Sequence, residues 1–368
     1  MSAMPKALLA VVCVASVVTS IAFAQAPPVL PPPMAPGATD APRAASPARD
    51  APPVNEPSVV VRTQTGAEVR GGEAPASRWQ AELERLDADL RLRLLTANEP
   101  RTAWLAGDLE TTDIEAQVRH FADARIAAPD ERLYLASLGV ACLQPVRPSL
   151  APCDAVDRLA DWARRDGDNG VPMLLLAGRA RQRGEADLAA SFVEQAARAP
   201  RFDDYWSQGA ARWWSYLRAY DAGVDPAAKA KAAANYASMR DLAWPSPLRA
   251  LCAEPGQRVE RMRIACASVG QALASRGATF ALRLAGARVS EINAPDPSAR
   301  TAAQTRHARV LAMTAGCAQA TPDFALSLES PQPAQRGAAI DQFTAWASAQ
   351  SDLGEVGACE RLLARVRK

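Results

Sequence analysis

Apolar residues recur at alternating spacings of three and four from residue 77 onward, the pattern of one face of an α-helix. The first such stripe follows a capping-box sequence at 77–80. Its members are Trp79, Leu83, Leu86, Leu90 and Leu94. No stretch shows the sustained alternation of β-branched residues that is typical of strands. The pattern predicts an all-α domain over residues 77–368, with about a dozen helices of roughly 10–20 residues.

Two helix starts are marked by their capping residues. Thr112 begins a second capping-box sequence at 112–115, which predicts that its side chain caps the helix that follows. Asp225 precedes Pro226, and proline is favoured at the first helical position because its missing N–H would have no partner there. We therefore expect Asp225 to cap a helix that begins at Pro226.

The segment before this domain has a different composition. Eleven of the 33 residues at 25–57 are proline, and alanine, serine, threonine and aspartate fill most of the rest. Such a segment buries too little apolar surface to offset the entropy lost on ordering. Residues 25–76 are predicted to be a Pro/Ala-rich disordered linker.

The first 24 residues carry the marks of a signal peptide. One charge at Lys6 precedes an apolar run that ends in the small-x-small triplet at 22–24. The run is shorter than the roughly 20 apolar residues of a membrane span. We expect cleavage after Ala24, no membrane span in the mature protein, and a periplasmic or secreted location.

The number and spacing of the cysteines are also typical of an exported protein. Six remain once Cys13 of the leader is removed, and none forms a C-x-x-C pair, so disulfides fit better than a metal site. Six cysteines allow fifteen pairings, and their positions on predicted helix seams favour pairing between neighbours. The expected disulfides are Cys142–Cys153, Cys252–Cys266 and Cys317–Cys359.

A helix–turn–helix pattern occupies residues 170–200. The positions that carry it are small or apolar residues and a turn glycine: Met173, Leu176, Ala177, Gly184, Ala189, Val193, Ala196 and Pro200. The pattern resembles the tetratricopeptide repeat, in which small residues let two helices approach and a larger one fills the gap to the next unit. Residues 155–169 resemble the end of a preceding unit. The resemblance, over about residues 155–200, implies an α-solenoid that binds proteins or peptides.

Charge and motifs argue against several function classes. Lysine and arginine total 42 against 40 acidic residues, and a net charge of +2 gives no general attraction to nucleic acid. The Gly-rich dinucleotide and phosphate-binding motifs and G-x-S-x-G are absent from the sequence. His120 and His307 form no metal-binding motif. We therefore predict no catalytic residue, no cofactor-binding residue and no metal ligand, and expect that the protein is not an enzyme.

The densest aromatic segment lies at 205–220 and contains three of the eight tryptophans and three of the five tyrosines. One stripe of it has core spacing. Trp214 and Tyr216 fall off this stripe and are flanked by Arg212 and Arg218. These four residues are a candidate contact surface for a partner. The alternative is a central helix that neighbouring helices cover on three sides.

The combined interpretation is an exported helical scaffold that mediates protein or peptide interaction in the bacterial envelope. Two other functions stay open at this stage. A hydrolase that acts on the envelope requires a deep pocket with two close carboxylates of shifted pKa. A small-ligand-binding protein requires an enclosed apolar cavity.

Overall fold

The computed structural model of the chain describes residues 80–96, 102–143, 150–221, 223–240, 242–253, 260–320, 328 and 330–366. The predicted signal peptide at 1–24, with its cleavage after Ala24, lies outside these residues, and so does the predicted linker at 25–76. Within the described ranges the chain forms fifteen helices and no β-strand, and the only bridges are two isolated ones. The all-α prediction is confirmed for this part of the chain.

The helices, in chain order, are α1 (Gln80–Thr96), α2 (Ala103–Leu109), α3 (Ile114–Ala127), α4 (Arg132–Ala141), α5 (Ala151–Asp154), α6 (Arg158–Arg165), α7 (Val171–Gln182), α8 (Ala186–Arg198), α9 (Trp206–Ala219), α10 (Pro226–Met239), α11 (Pro245–Cys252), α12 (Glu260–Arg276), α13 (Phe280–Ile292), α14 (Pro297–Ala320) and α15 (Pro333–Val366).

Capping residues set the helix starts, with one correction. Asp225 accepts a hydrogen bond from the N–H of Ala227 (2.8 Å), and Pro226 is the first residue of α10, as expected. At α3 the cap is Asp113 rather than Thr112. The Thr112 hydroxyl instead donates to Glu110 (2.8 Å), which leaves the helix to begin one residue later.

The predicted helix–turn–helix unit is a hairpin of α7 and α8. Gly184 lies in the turn with a φ of 76°, in the left-handed region that glycine adopts without strain. Ala189, Val193 and Ala196 are buried on one side of α8, so the small–large–small pattern faces the packed interior. The hairpin is compatible with a helical repeat fold.

Two later helices approach each other more closely still. A Cβ atom on Gly286 of α13 would lie 2.4 Å from the Cβ of Leu273 and 2.5 Å from the backbone nitrogen of Ala274 on α12. The absence of a side chain at Gly286 therefore permits direct contact between the two backbones.

Helices far apart in sequence also pack together. In addition to contacts between successive helices, α9 packs on α15, α10 packs on α1, and α8 packs on α12. The predicted first stripe contributes Leu86, Leu90 and Leu94 to the main core. A smaller cluster of Phe280, Cys317, Val356 and Cys359 joins α13, α14 and α15.

The six cysteines lie in three pairs at disulfide distance. The Cα–Cα distances are 5.5 Å for Cys142 and Cys153, 5.5 Å for Cys252 and Cys266, and 5.6 Å for Cys317 and Cys359. These are the three expected pairs, and the distances fall in the usual range for disulfides. The paired cysteines are 11, 14 and 42 residues apart and are neighbours in the order of the six, as the helix-seam positions indicated.

None of the helices that the structure describes is both long and apolar enough to cross a membrane.

Candidate functional site

Of the four residues in the candidate contact surface on α9, Trp214 is buried rather than exposed to a partner. Trp214 is only 3% exposed, its ring meets Phe343 of α15 edge-on with centroids 5.0 Å apart, and its indole N–H donates to the Thr344 hydroxyl (3.1 Å). Trp214 therefore lies inside the fold, because α15 covers a second face of α9.

The other three candidate contact residues lie nearer the surface. Arg212 forms an ion pair with Glu131 (3.4 Å), and Tyr216 is partly exposed beside Tyr220, with ring centroids 5.5 Å apart. Arg218 is exposed. With Trp214 covered, these residues do not form the flat aromatic surface that the sequence predicts.

A different site stands out in the tertiary structure: an open cleft of about 410 Å³. One wall comes from α2, α3 and α4, and the other from the start of α7, residues 204–206 and residues 240–244. The polar and aromatic lining includes Asp108, Glu110, Ser137, Asp204, Trp206 and Arg240. We call this site the acidic cleft, since these lining residues carry three carboxylates and one guanidinium. Its size is in the range of ligand-binding sites.

Asp108 and Arg240 form a largely buried ion pair in the cleft. The Arg240 Nε donates to Asp108 Oδ1 (3.0 Å), and the other carboxylate oxygen accepts from the indole N–H of Trp213 (2.6 Å). Arg240 also donates to the backbone oxygens of Tyr205 (3.1 Å) and Trp206 (3.2 Å). The hydrogen bonds of this pair thus connect α2 with the start of α9. The positive charge of Arg240 and the negative charge of Asp108 cancel.

Glu110 and Asp204 supply the remaining negative charge, and their pKa values shift in opposite directions. Burial acts to raise the pKa of Glu110, but hydrogen bonds from the backbone N–H groups of Asp113 and Thr112 hold it below its usual value. Burial raises the pKa of Asp204 despite its hydrogen bond from the Trp244 indole (2.9 Å). Glu110 is therefore the fixed anion of the cleft, and Asp204 the more easily protonated group.

Asp204 belongs to a loop with unusual backbone geometry, at residues 201–206. Tyr205 has a φ of 59° and is the one non-glycine residue with positive φ in the described part of the chain. Asp203 accepts from the Tyr205 N–H (2.8 Å) and helps to hold this conformation. Asp204 and Trp206 line the acidic cleft, whereas Asp203 and Tyr205 line a separate groove. The strained residue, Tyr205, thus lies in a loop whose successive side chains line two different concave surfaces.

The 201–206 loop is one of several helix junctions that lie side by side. Gly170 N–H donates to the oxygen of Arg201 (2.9 Å), Ala278 N–H to that of Phe202 (2.8 Å), and Val356 N–H to that of Ala278 (3.1 Å). Gly354, with a φ of 71°, interrupts the helical geometry of α15. These bonds connect the junctions before α7, α9 and α13 with this kink. The position of Asp204 is therefore set by segments distant in sequence.

Buried carboxylates at these junctions make stability depend on pH. Glu355 accepts a hydrogen bond from the Phe280 N–H (2.8 Å), and burial raises its pKa to about 7. Burial, together with the neighbouring charge of Asp204, raises the pKa of Asp203 to about 6. The folded protein holds these protons at pH values where the unfolded chain has released them. The contribution of these two groups to the free energy of unfolding should therefore fall as pH rises from about 4 to 7.

We expect Glu355→Gln to remove the Glu355 part of this dependence, because glutamine still accepts from Phe280 but carries no charge. The variant should unfold with roughly 2–3 kcal/mol more free energy than the wild type at pH 8 and with nearly equal free energy at pH 4. Urea unfolding at both pH values measures the difference. A variant that is less stable at pH 8 would show that the ionised carboxylate stabilises the start of α13.

The two histidines lie apart from the cleft lining. Burial lowers the pKa of His120, on α3. The Nδ1 of His307 is 3.6 Å from Glu291. Among the described residues no group of three or more His, Cys, Asp or Glu side chains is placed to hold a metal ion.

Sequence reasoning did not select the residues of the acidic cleft. One usable signal was present, since Asp203 and Asp204 stand directly before Tyr205 and Trp206 in a loop, and acidic and aromatic residues in loops often bind ligands. No linear signal connects them with Glu110 or Arg240, which follow the ends of α2 and α10.

A comparison of the chain with protein families, curated proteins and solved structures gives no match.

Proposed function

We propose that the protein is an exported helical scaffold that binds protein or peptide ligands in the bacterial envelope, and that the acidic cleft is its binding site. The observation that carries the proposal is the cleft itself, which is open and combines aromatic, aliphatic and polar side chains. Peptide segments present the same mixture of groups, so a cleft of this kind suits them better than an enclosed apolar cavity would.

Two further features support the proposal. The α7–α8 hairpin has the small–large–small packing by which the chain resembles tetratricopeptide repeats, and its first helix lines the cleft through Val171 and Leu175. Three cysteine pairs at disulfide distance favour an oxidising compartment such as the periplasm or the cell exterior. The leader-like sequence at 1–24 points the same way.

Filling the cleft tests the proposal. Ala243 lines the cleft, and we expect Ala243→Trp to weaken the binding of a mixed set of labelled decapeptides by about tenfold or more, because the indole occupies ligand space. The matched control is Ala302→Trp, at an exposed position on α14, which should bind as the wild type does. Fluorescence anisotropy measures the affinities. No peptide binding by the wild type, or equal binding by the two variants, would refute the cleft as a peptide site.

The opposite pKa shifts of Glu110 and Asp204 favour an envelope hydrolase as the second candidate, since an ionised and a protonated carboxylate in one site suit acid–base catalysis. Mass spectrometry of the same peptides after incubation distinguishes the two functions. Peptides that stay intact support the scaffold, whereas cleavage that is lost in Glu110→Gln supports the hydrolase.

A further inference from the structure

The excess charge of the acidic cleft has a definite location. Among the described lining residues Arg240 is the only cation, and its side chain donates to Asp108 and to two backbone oxygens. Since this pair is internally neutral and burial raises the pKa of Asp204, the charge available to a ligand belongs to Glu110. An ionised carboxylate with no free cation among the described lining residues attracts positively charged groups.

Glu110 has one oxygen left for a ligand. Its Oε1 accepts from Thr112 N–H (2.9 Å), the Thr112 hydroxyl (2.8 Å) and Asp113 N–H (2.9 Å). Its Oε2 accepts no hydrogen bond from the described residues, although the residue is only 9% exposed. Arg91, whose charge also acts on Glu110, is paired with Asp87 (2.8 Å). A rigid carboxylate with a free oxygen is suited to an ammonium or guanidinium donor.

Whereas Glu110 provides an acceptor, Ser137 provides a hydrogen-bond donor. It is 9% exposed and lines the cleft, and its oxygen accepts from the indole N–H of Trp104 (2.9 Å). Its hydroxyl hydrogen has no acceptor among the described residues. A buried donor without an acceptor is costly, and a carbonyl oxygen of a ligand would satisfy it.

Trp206 adds an aromatic surface. Its indole N–H is engaged by the backbone oxygen of Ala237 (2.9 Å), so what the partly exposed side chain offers a ligand is ring surface rather than a donor. Cations stack on such rings, and Arg240 of the cleft lining gives one example, since its guanidinium carbon lies 5.3 Å from the centroid of Trp104.

We infer that the acidic cleft recognises peptide segments that carry an arginine or lysine side chain, with the cation at Glu110 and a backbone carbonyl at Ser137. This inference rests on the proposed function and names its ligand class. Arginine suits the site better than lysine because its planar fork both reaches a carboxylate and stacks on an indole.

Three matched decapeptides test the inference, identical except for a central Arg, Gln or Glu. With the wild-type protein we expect the Arg peptide to bind about tenfold more tightly than the Gln peptide, and the Glu peptide most weakly. The preference should shrink when salt is raised from about 50 to about 500 mM, because salt screens charges at the cleft mouth.

Two protein variants locate the selectivity. Glu110→Gln keeps the hydrogen bonds made by Oε1 and removes the charge, so we expect the Arg-over-Gln preference to fall about fivefold or more. Thr111→Lys places a cation at the exposed rim without altering a buried group, and should reduce the preference as well. Thr301→Lys, the same change at an exposed position on α14, should leave the preference unchanged.

The outcomes separate the inference from the proposed function. Equal binding of the three peptides, or a preference that survives both Glu110→Gln and Thr111→Lys, would overturn the inference and leave a peptide-binding cleft. No binding of any of the three peptides would overturn both.

Discussion

Replacement of Asp166 by alanine should cost about 3–5 kcal/mol of unfolding free energy, because it leaves the buried indole N–H of Trp162 and the buried hydroxyl of Tyr205 without an acceptor. Asp166 is 1% exposed. It accepts hydrogen bonds from the side chains of Trp162 (3.0 Å), Asn169 (2.8 Å), Tyr205 (2.7 Å) and Arg201. Since Tyr205 and Arg201 belong to the 201–206 loop, the loss should also loosen the wall of the cleft. Urea unfolding at pH 7 measures the cost.

Asp168 is the matched control. It binds the same guanidinium, with Arg201 Nε 3.0 Å from Asp168 Oδ2, but its side chain is 46% exposed. Water screens this pair, so Asp168→Ala should change the free energy of unfolding by no more than about 1 kcal/mol. Similar costs for the two variants would mean that burial of Asp166 is not what makes its network important.

The second large effect is expected at Trp214. Trp214→Ala should destabilise the protein by about 3–5 kcal/mol, since the indole is buried between α9 and α15 and its removal leaves a cavity. Trp214→Phe keeps most of the ring contact with Phe343 and loses the hydrogen bond to Thr344, so its cost should be about 1–2 kcal/mol. Denaturant unfolding of both variants gives the comparison. A Trp214→Ala protein within about 1 kcal/mol of the wild type would place the ring on the surface and restore its role as a partner contact.

Much of the fold was accessible from the sequence. The leucine stripe of α1, the start of α10 at Pro226 and the α7–α8 hairpin all follow from interactions within one helix or between adjacent helices. The three cysteine pairs were expected as well, because each joins cysteines that are consecutive among the six. Periodicity and capping act over a few residues, which is the range that sequence patterns reveal.

The sequence left open whether Trp214 contacts a partner or lies under neighbouring helices, and its burial agrees with the second alternative. Spacing shows how many apolar faces a helix has, but not how many neighbours cover it. Phe343 and Thr344 lie about 130 positions away, on a helix whose own pattern gives no indication that it packs on α9.

The sequence by itself thus determined the all-α class and the starts of several helices, and among fifteen possible pairings it favoured the observed cysteine pairs, since local spacing specifies helix type and helix face. Only the tertiary structure decided that Glu110, Asp204 and Arg240 share one cleft and that Trp214 does not face solvent. The physical reason is that both results depend on which helices pack together, and that packing is the sum of many weak contacts between residues distant in the chain.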